Sequence, residues 1–159
     1  MSLFARFLAR FAAMPAAVRW GSVASEMAIL WWVSSGPLGG AHRSMLRAYA
    51  HNAAHVVAYS AMAAMALLAL AGTGATGPRR RLAAIGIACA YGAIDEIHQK
   101  FVPGRVASFS DFGSDLCGAM FGAMLVHGLR SSERGALRLA AVALLGGMVC
   151  SAFGTFTDW

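Results

Sequence analysis

Residues Tyr91 to Gly122 read YGAIDEIHQKFVPGRVASFSDFGSDLCGAMFG, and they place a dense group of polar side chains between two apolar segments. This stretch holds four of the seven acidic residues of the chain, namely Asp95, Glu96, Asp111 and Asp115. Ionisable residues at membrane depth are costly, and they usually mark a functional site. The stretch therefore predicts two membrane helices that carry a polar site near the loop between them.

The composition of the whole chain indicates a small membrane protein. Of its 159 residues, 58% are hydrophobic and only 13% are charged, with a mean hydropathy of +0.61. In soluble domains, about a quarter of all residues are usually charged. The net charge of +6 lies in short clusters between apolar runs, which is typical of membrane orientation. We expect the lipid bilayer as a partner and no nucleic acid.

The first fourteen residues predict an amphipathic helix at the membrane interface. Apolar side chains from Leu3 to Phe11 share one helical face, while Arg6 and Arg10 lie four residues apart on another. Pro15 ends this helix. We expect two parts in the chain, an interfacial helix at 1–14 and a single transmembrane domain at 15–159.

The predicted fold class is an all-α polytopic membrane protein with about five transmembrane helices. Five apolar runs are long enough to cross a bilayer, at about 16–33, 49–71, 82–101, 109–129 and 136–156. Glu26 lies near the middle of the first run, where it either pairs with another helix or stays protonated. Gly36-Pro37 with Gly39-Gly40, and later the Gly72 to Gly77 run, predict breaks between helices.

The distribution of lysine and arginine predicts the orientation. With five spans, nine of the thirteen basic residues lie on the side of the N-terminus and of the second and fourth loops. The positive-inside rule places that side in the cytoplasm. We therefore expect a protein of the cytoplasmic (inner) membrane with a cytoplasmic N-terminus and an extracytoplasmic 100–108 loop.

Three helices are predicted to bring polar residues to the same outer third of the membrane. His51 and His55, Asp95 and Gln99, and Asp111 and Asp115 are each four residues apart, so each pair lies on one helical face. His55, Asp95 or Glu96, and Asp111 or Asp115 should approach within about 8 Å, which allows direct or one-water contact. Gly118 and Gly122 continue the Asp115 face and permit another helix to approach closely.

These residues resemble a known family, the VanZ-like membrane proteins. The resemblance covers His51 to Gly122, 72 of 159 residues, and rests on several motifs in order. They are His55-x-x-x-Tyr59, Asp95-Glu96-x-x-Gln99, Pro103-Gly104-Arg105, Ser108, Asp111 and the Gly118/Gly122 pair.

The resemblance implies a fold, a site and a link to low-level resistance to the glycopeptide teicoplanin, with which the name-giving member is associated. Two positions depart from the family pattern. This chain has Asn52 where the family has a lysine, and Asp115 where the family often has an asparagine. The site is therefore unusually acidic, which argues against simple anion binding.

The function expected first is binding or processing of an anionic lipid or a cell-envelope precursor at the outer leaflet. The candidate catalytic residues are His55, Asp95, Glu96, Gln99, Asp111 and Asp115. The candidate substrate-binding residues are Arg105, Tyr59 and Ser108. A histidine with carboxylates can act as acid and base or hold a divalent metal, and the candidate metal ligands are His55, Asp95, Glu96, Asp111 and Asp115.

Other functions stay open at this point. No nucleophile elbow, phosphate-binding loop or metalloprotease motif occurs, so the residues leave open whether the protein is an enzyme. The polar network could instead stabilise helix packing in a non-enzymatic envelope protein, or belong to a small transporter. Asp111 could serve only the N-terminus of its helix, and Arg105 could close an ion pair or reach toward lipid head groups.

Overall fold

The computed structural model describes residues 3–36, 44–71, 73, 77–105 and 107–157. Every regular element in this part of the chain is an α-helix. The helices are α1 (Leu3–Ala12), α2 (Ala16–Ser34), α3 (Met45–Ala69), α4 (Gly77–Gln99), α5 (Phe109–Ser131) and α6 (Arg134–Thr157). The all-α prediction is confirmed, and α2 to α6 cover the five apolar runs.

Three of these helices, α3, α5 and α6, are long and apolar enough to cross a membrane. Helices α2 and α4 have a lower hydropathy than these three because they carry charges. Helix α2 contains Arg19 and Glu26, and α4 has three arginines in its first turns and Asp95 and Glu96 near its end. The five-span arrangement therefore stays a prediction. The predicted breaks at 37, 39–40, 72 and 74–76 lie outside the described residues.

Helix α3 is the centre of the bundle, because it packs against each of the other five helices. The core around it consists largely of small side chains on neighbouring helices, including Ala63, Ala88, Ala119 and Ala123, all fully buried. Small residues let helix backbones approach closely, which drives helix association where no water-based hydrophobic effect acts.

The closest approach joins α3 and α5 at Gly118 and Gly122. A Cβ atom on Gly118 would lie 2.5 Å from the carbonyl oxygen of Val56, and one on Gly122 would collide with the carbonyl group of Ser60. Only hydrogen fits at these two positions. The predicted small-residue face is confirmed, and it sets the distance between the helices that carry His55 and Asp115.

Helix α1 ends before Pro15, as predicted, and packs part of its surface against the bundle. Leu8 is buried in the same cluster as Val23 and Leu67, whereas Leu3 and Phe7 remain exposed. Exposed apolar side chains next to arginines suit a membrane interface. The interfacial position of α1 stays a prediction.

Two charged residues of α2 have contrasting environments. Arg19 is buried and donates hydrogen bonds of 2.8 Å to the carbonyl oxygens of Leu68 and Ala71, which caps the C-terminal end of α3. Cationic side chains suit this end because carbonyl groups remain unsatisfied there. Glu26 is half-buried, and its Oε2 has no hydrogen-bond partner among the described residues. The pairing of Glu26 with another helix is therefore not observed there.

Candidate functional site

The site lies at the end of the bundle that holds the α4–α5 loop. His55 and Tyr59 come from α3, Asp95, Glu96 and Gln99 from α4, and Asp111 and Asp115 from the first turns of α5. All four acidic side chains are buried, with exposed fractions of 8% or less. Carboxylates are rarely buried without partners. Their hydrogen bonds therefore decide what the site can do.

His55 and Asp115 form a direct pair across α3 and α5. The Nδ1 atom of His55 lies 2.9 Å from Oδ1 of Asp115, and Asp115 is completely buried. Gly92 of α4 makes room for this pair, because a Cβ atom there would lie 2.7 Å from Oδ2 of Asp115. The three helices meet at this carboxylate.

Asp95 links α4 to the end of α2. Its Oδ1 accepts a hydrogen bond of 2.6 Å from the Ser34 hydroxyl, and its Oδ2 accepts one of 2.9 Å from the Gln99 amide. His98 Nδ1 lies 3.9 Å from Asp95, and its ring stacks on Trp31 with centroids 3.7 Å apart. Asp95 therefore belongs to a polar connection between two helices.

Glu96 points toward the start of α5. Its Oε2 accepts a 2.9 Å hydrogen bond from the backbone N–H of Ser108, and the Ser108 hydroxyl oxygen in turn accepts from the N–H of Ser110 as the N-cap of α5. The buried carboxylate of Asp111 lies in the first turn of α5, where a negative charge interacts favourably with the positive end of the helix dipole. Glu96 also lines a cavity of about 280 Å³ between α4 and α5, together with Lys100 and Phe112.

Arg105 is held between the end of α2 and helix α3. Its guanidinium donates to the carbonyl oxygens of Val33 (2.9 Å) and Gly36 (3.1 Å) and to Nε2 of His51 (3.2 Å). Burial lowers the pKa of Arg105, whereas the negative charges of Asp95, Asp111 and Glu96 act in the opposite direction. Arg105 forms no ion pair with these carboxylates in the described part of the chain, contrary to the simplest alternative from the sequence.

A cavity of about 130 Å³ connects several of these groups. Its lining combines the apolar residues Leu30, Val33, Ala54 and Ala58 with polar residues of α2, α3, α4 and the loop, namely Ser34, His51, His55, Tyr59, Asp95, Gln99 and Arg105. Pockets for whole drug-sized ligands usually measure about 300–1,000 Å³. This cavity therefore suits a small polar group whose remainder lies outside.

The structure brings the predicted residues together in two groups. His55, Glu96 and Asp115 each offer a ligand atom within 4.8 Å of the others, as predicted for these three helices, while Asp95 and Gln99 face the smaller cavity with Arg105. The hydroxyl group of Tyr59 is buried without a hydrogen-bond partner among the described residues. The catalytic, binding and metal-ligating roles of these residues stay predictions.

Sequence reasoning missed Ser34 and Gly92. Ser34 was interpreted only as part of a helix stop, although a serine at the end of a membrane helix is a ready donor to a buried carboxylate. Gly92 lies three and four residues before Asp95 and Glu96, so the helical spacing already placed it on the polar face. A glycine on such a face is the available signal for a close approach.

Comparison with known proteins shows the family. No curated protein and no solved structure matches the chain. A family model described as VanZ/LLP1 matches residues 6–130, which include all the candidate site residues and α1 to α5 almost completely. The resemblance inferred from the motifs is thereby confirmed, and the chain, with its long apolar helices, is a membrane protein that belongs to the VanZ/LLP1 family.

Proposed function

We propose that the protein binds the anionic head group of a lipid or of a lipid-linked cell-envelope precursor in the cavity beside Arg105. The observation that carries this proposal is that Arg105, His55 and Asp95 line one small cavity. A guanidinium has five N–H donors, of which three bond to Gly36, His51 and Val33, so the other two can serve phosphate or carboxylate oxygens. His55 and the nearby carboxylates then provide groups that can accept or donate a proton.

The proposal includes a membrane arrangement. Five helices, α2 to α6, cross the inner membrane, α1 lies at its cytoplasmic surface, and the α4–α5 loop faces outward. The distribution of arginines supports this orientation, since Arg79–Arg81 and Arg130 lie at the end opposite to the cavity. The cavity would then open toward the outer leaflet, where envelope precursors are assembled or exposed to glycopeptides such as teicoplanin.

Lipid retention by purified variants tests the proposal. Arg105→Gln removes the cation, and we expect the co-purifying anionic lipid seen by native mass spectrometry to fall at least about tenfold, because one charge-assisted contact contributes about 1.5–3 kcal/mol. Arg138→Gln is the matched control, since Arg138 is an exposed arginine of α6 at the other end of the bundle. Equal lipid retention by Arg105→Gln and Arg138→Gln would refute the binding role.

A second function is favoured by the contacts of Asp95. Its hydrogen bond from Ser34 joins α2 to α4, and the one from Gln99 holds the carboxylate within α4, as a purely structural network would. Asp95→Asn separates the two functions. A working site predicts an unchanged melting temperature with reduced lipid retention and a weaker resistance phenotype. A structural network predicts that lipid and phenotype stay unchanged, with stability equal or higher because a buried charge is removed.

A further inference from the structure

The chemistry of one group of residues goes beyond the cavity beside Arg105. His55 of α3, Glu96 of α4 and Asp115 of α5 each offer one nitrogen or oxygen atom, and these atoms lie within 4.8 Å of one another. Glu96 is 8% exposed and Asp115 is 0% exposed. The group is therefore assembled from three helices in a place that solvent hardly reaches.

Two oxygen atoms of this group lack a hydrogen-bond partner among the residues that the structure describes. Oε1 of Glu96 and Oδ2 of Asp115 are buried and accept no hydrogen bond from any described residue. The second oxygen of each carboxylate is occupied, Oε2 of Glu96 by the N–H of Ser108 and Oδ1 of Asp115 by His55. Buried acceptors without a donor are rare in native proteins, and an unplaced ion or water is a common reason for one.

The charge balance of the group also calls for a cation. In the described part of the chain, the ion pairs of Asp95 and Asp115 are with His98 and His55, and no lysine or arginine pairs with Glu96. Arg105 donates its hydrogen bonds to two backbone carbonyls and His51. Buried carboxylates without a positive partner are unfavourable unless they are protonated or bind a metal.

We propose that His55, Glu96 and Asp115 bind one divalent transition-metal ion of the Zn²⁺ or Mn²⁺ type. One imidazole nitrogen and two carboxylate oxygens are ligands that such ions accept at about 2.0–2.2 Å. The unpartnered oxygens of Glu96 and Asp115 are free to serve as ligands, while Ser108 orients Glu96 from behind. Three protein ligands leave coordination positions open, as in catalytic metal sites.

This ion would explain how an acidic site accepts an anion. Asp115 adds a negative charge that by itself repels a phosphate group, but a bound divalent ion inverts the local electrostatics. An oxygen of the head group can then occupy an open position on the metal. This last step rests on the proposed lipid-binding function, whereas the metal site itself does not.

Direct metal analysis tests the site. The purified, untagged protein is stripped with a chelator, equilibrated with Zn²⁺ or with Mn²⁺ alone, and analysed by plasma mass spectrometry. We expect about one ion per chain. His55→Gln, Glu96→Gln and Asp115→Asn should each weaken binding at least about tenfold, because each removes one of three ligands. The melting temperature of each variant shows whether it is folded.

A second histidine and carboxylate pair gives the control. His127 and Glu133 lie 2.7 Å apart at the opposite end of the bundle, with Glu133 exposed. His127→Gln and Glu133→Gln should keep the full metal content. The proposal is overturned if the folded wild-type protein binds neither ion. It is also overturned if all three site variants retain the metal, or if the two control variants lose it.

Lipid retention measured in the same preparations separates this inference from the proposed function. Metal binding without any anionic lipid would leave the metal site standing and remove the proposed function. Lipid retained equally by chelator-stripped protein and by protein equilibrated with Zn²⁺ or Mn²⁺, with no metal found in either, would remove the metal site and leave the proposed function standing. Lipid that is retained only with metal supports both.

Discussion

Gly118→Ala tests how the fold builds the site. The new Cβ atom would lie 2.5 Å from the carbonyl oxygen of Val56, the residue next to His55, and 3.0 Å from Val56 Cα. Ordinary contacts between such atoms are longer, so α3 and α5 must separate by about 0.5–1 Å. Because backbone atoms oppose the methyl group, no side-chain rotation can relieve the contact.

The separation has a calculable effect on the site. The Nδ1 to Oδ1 distance between His55 and Asp115 is 2.9 Å, and an increase of about 0.5–1 Å takes it beyond the range of a hydrogen bond. Overpacking costs about 1–3 kcal/mol and loss of a hydrogen bond to a charged group about 1.5–3 kcal/mol. Alanine offsets about 1 kcal/mol through its higher helix propensity. We expect Gly118→Ala to lower the free energy of unfolding by about 1.5–5 kcal/mol.

Equilibrium unfolding in mixed micelles measures this difference, and Gly86→Ala is the matched control. Gly86 lies in α4 with nothing within 4 Å of its added Cβ atom, so alanine there should leave stability unchanged or raise it by about 1 kcal/mol. Metal content and lipid retention are measured on both variants. If Gly118→Ala is as stable as Gly86→Ala, the close approach of α3 and α5 is wrong and the pairing of His55 with Asp115 loses its basis.

Two further predictions concern α2 and the orientation. Glu26→Met should raise the free energy of unfolding by about 1 kcal/mol, because it removes a half-buried carboxylate whose Oε2 has no partner among the described residues. A lower melting temperature of the variant would mean that Glu26 has a partner outside the described residues. A single cysteine at Pro103, in a variant without the three native cysteines, should react with a membrane-impermeant maleimide in intact cells. Labelling only after lysis would reverse the proposed orientation.

The sequence predicted the helices well because their signals are local. Apolar runs of about 20 residues and the helix-ending Pro15 each act within one segment of chain, and α2 to α6 appear where these signals place them. The approach of α3 and α5 was also predictable, since Gly118 and Gly122 share the face of Asp115. The number of helices that cross the membrane stays a prediction, because the charges of α2 and α4 lower the hydropathy of these two helices.

The four-residue spacings of His51 and His55, Asp95 and Gln99, and Asp111 and Asp115 predicted that three helices bring polar residues together at a similar depth. Only the tertiary structure decided what each one contacts. The orientation of α4 in the bundle directs the two adjacent acids to different neighbours. Asp95 contacts Ser34 and Gln99, whereas Glu96 contacts Ser108. Gln99 is only four residues from Asp95 on the same helix, but the contacts with Ser34 and Ser108 join residues 61 and 12 positions apart, which no local pattern encodes.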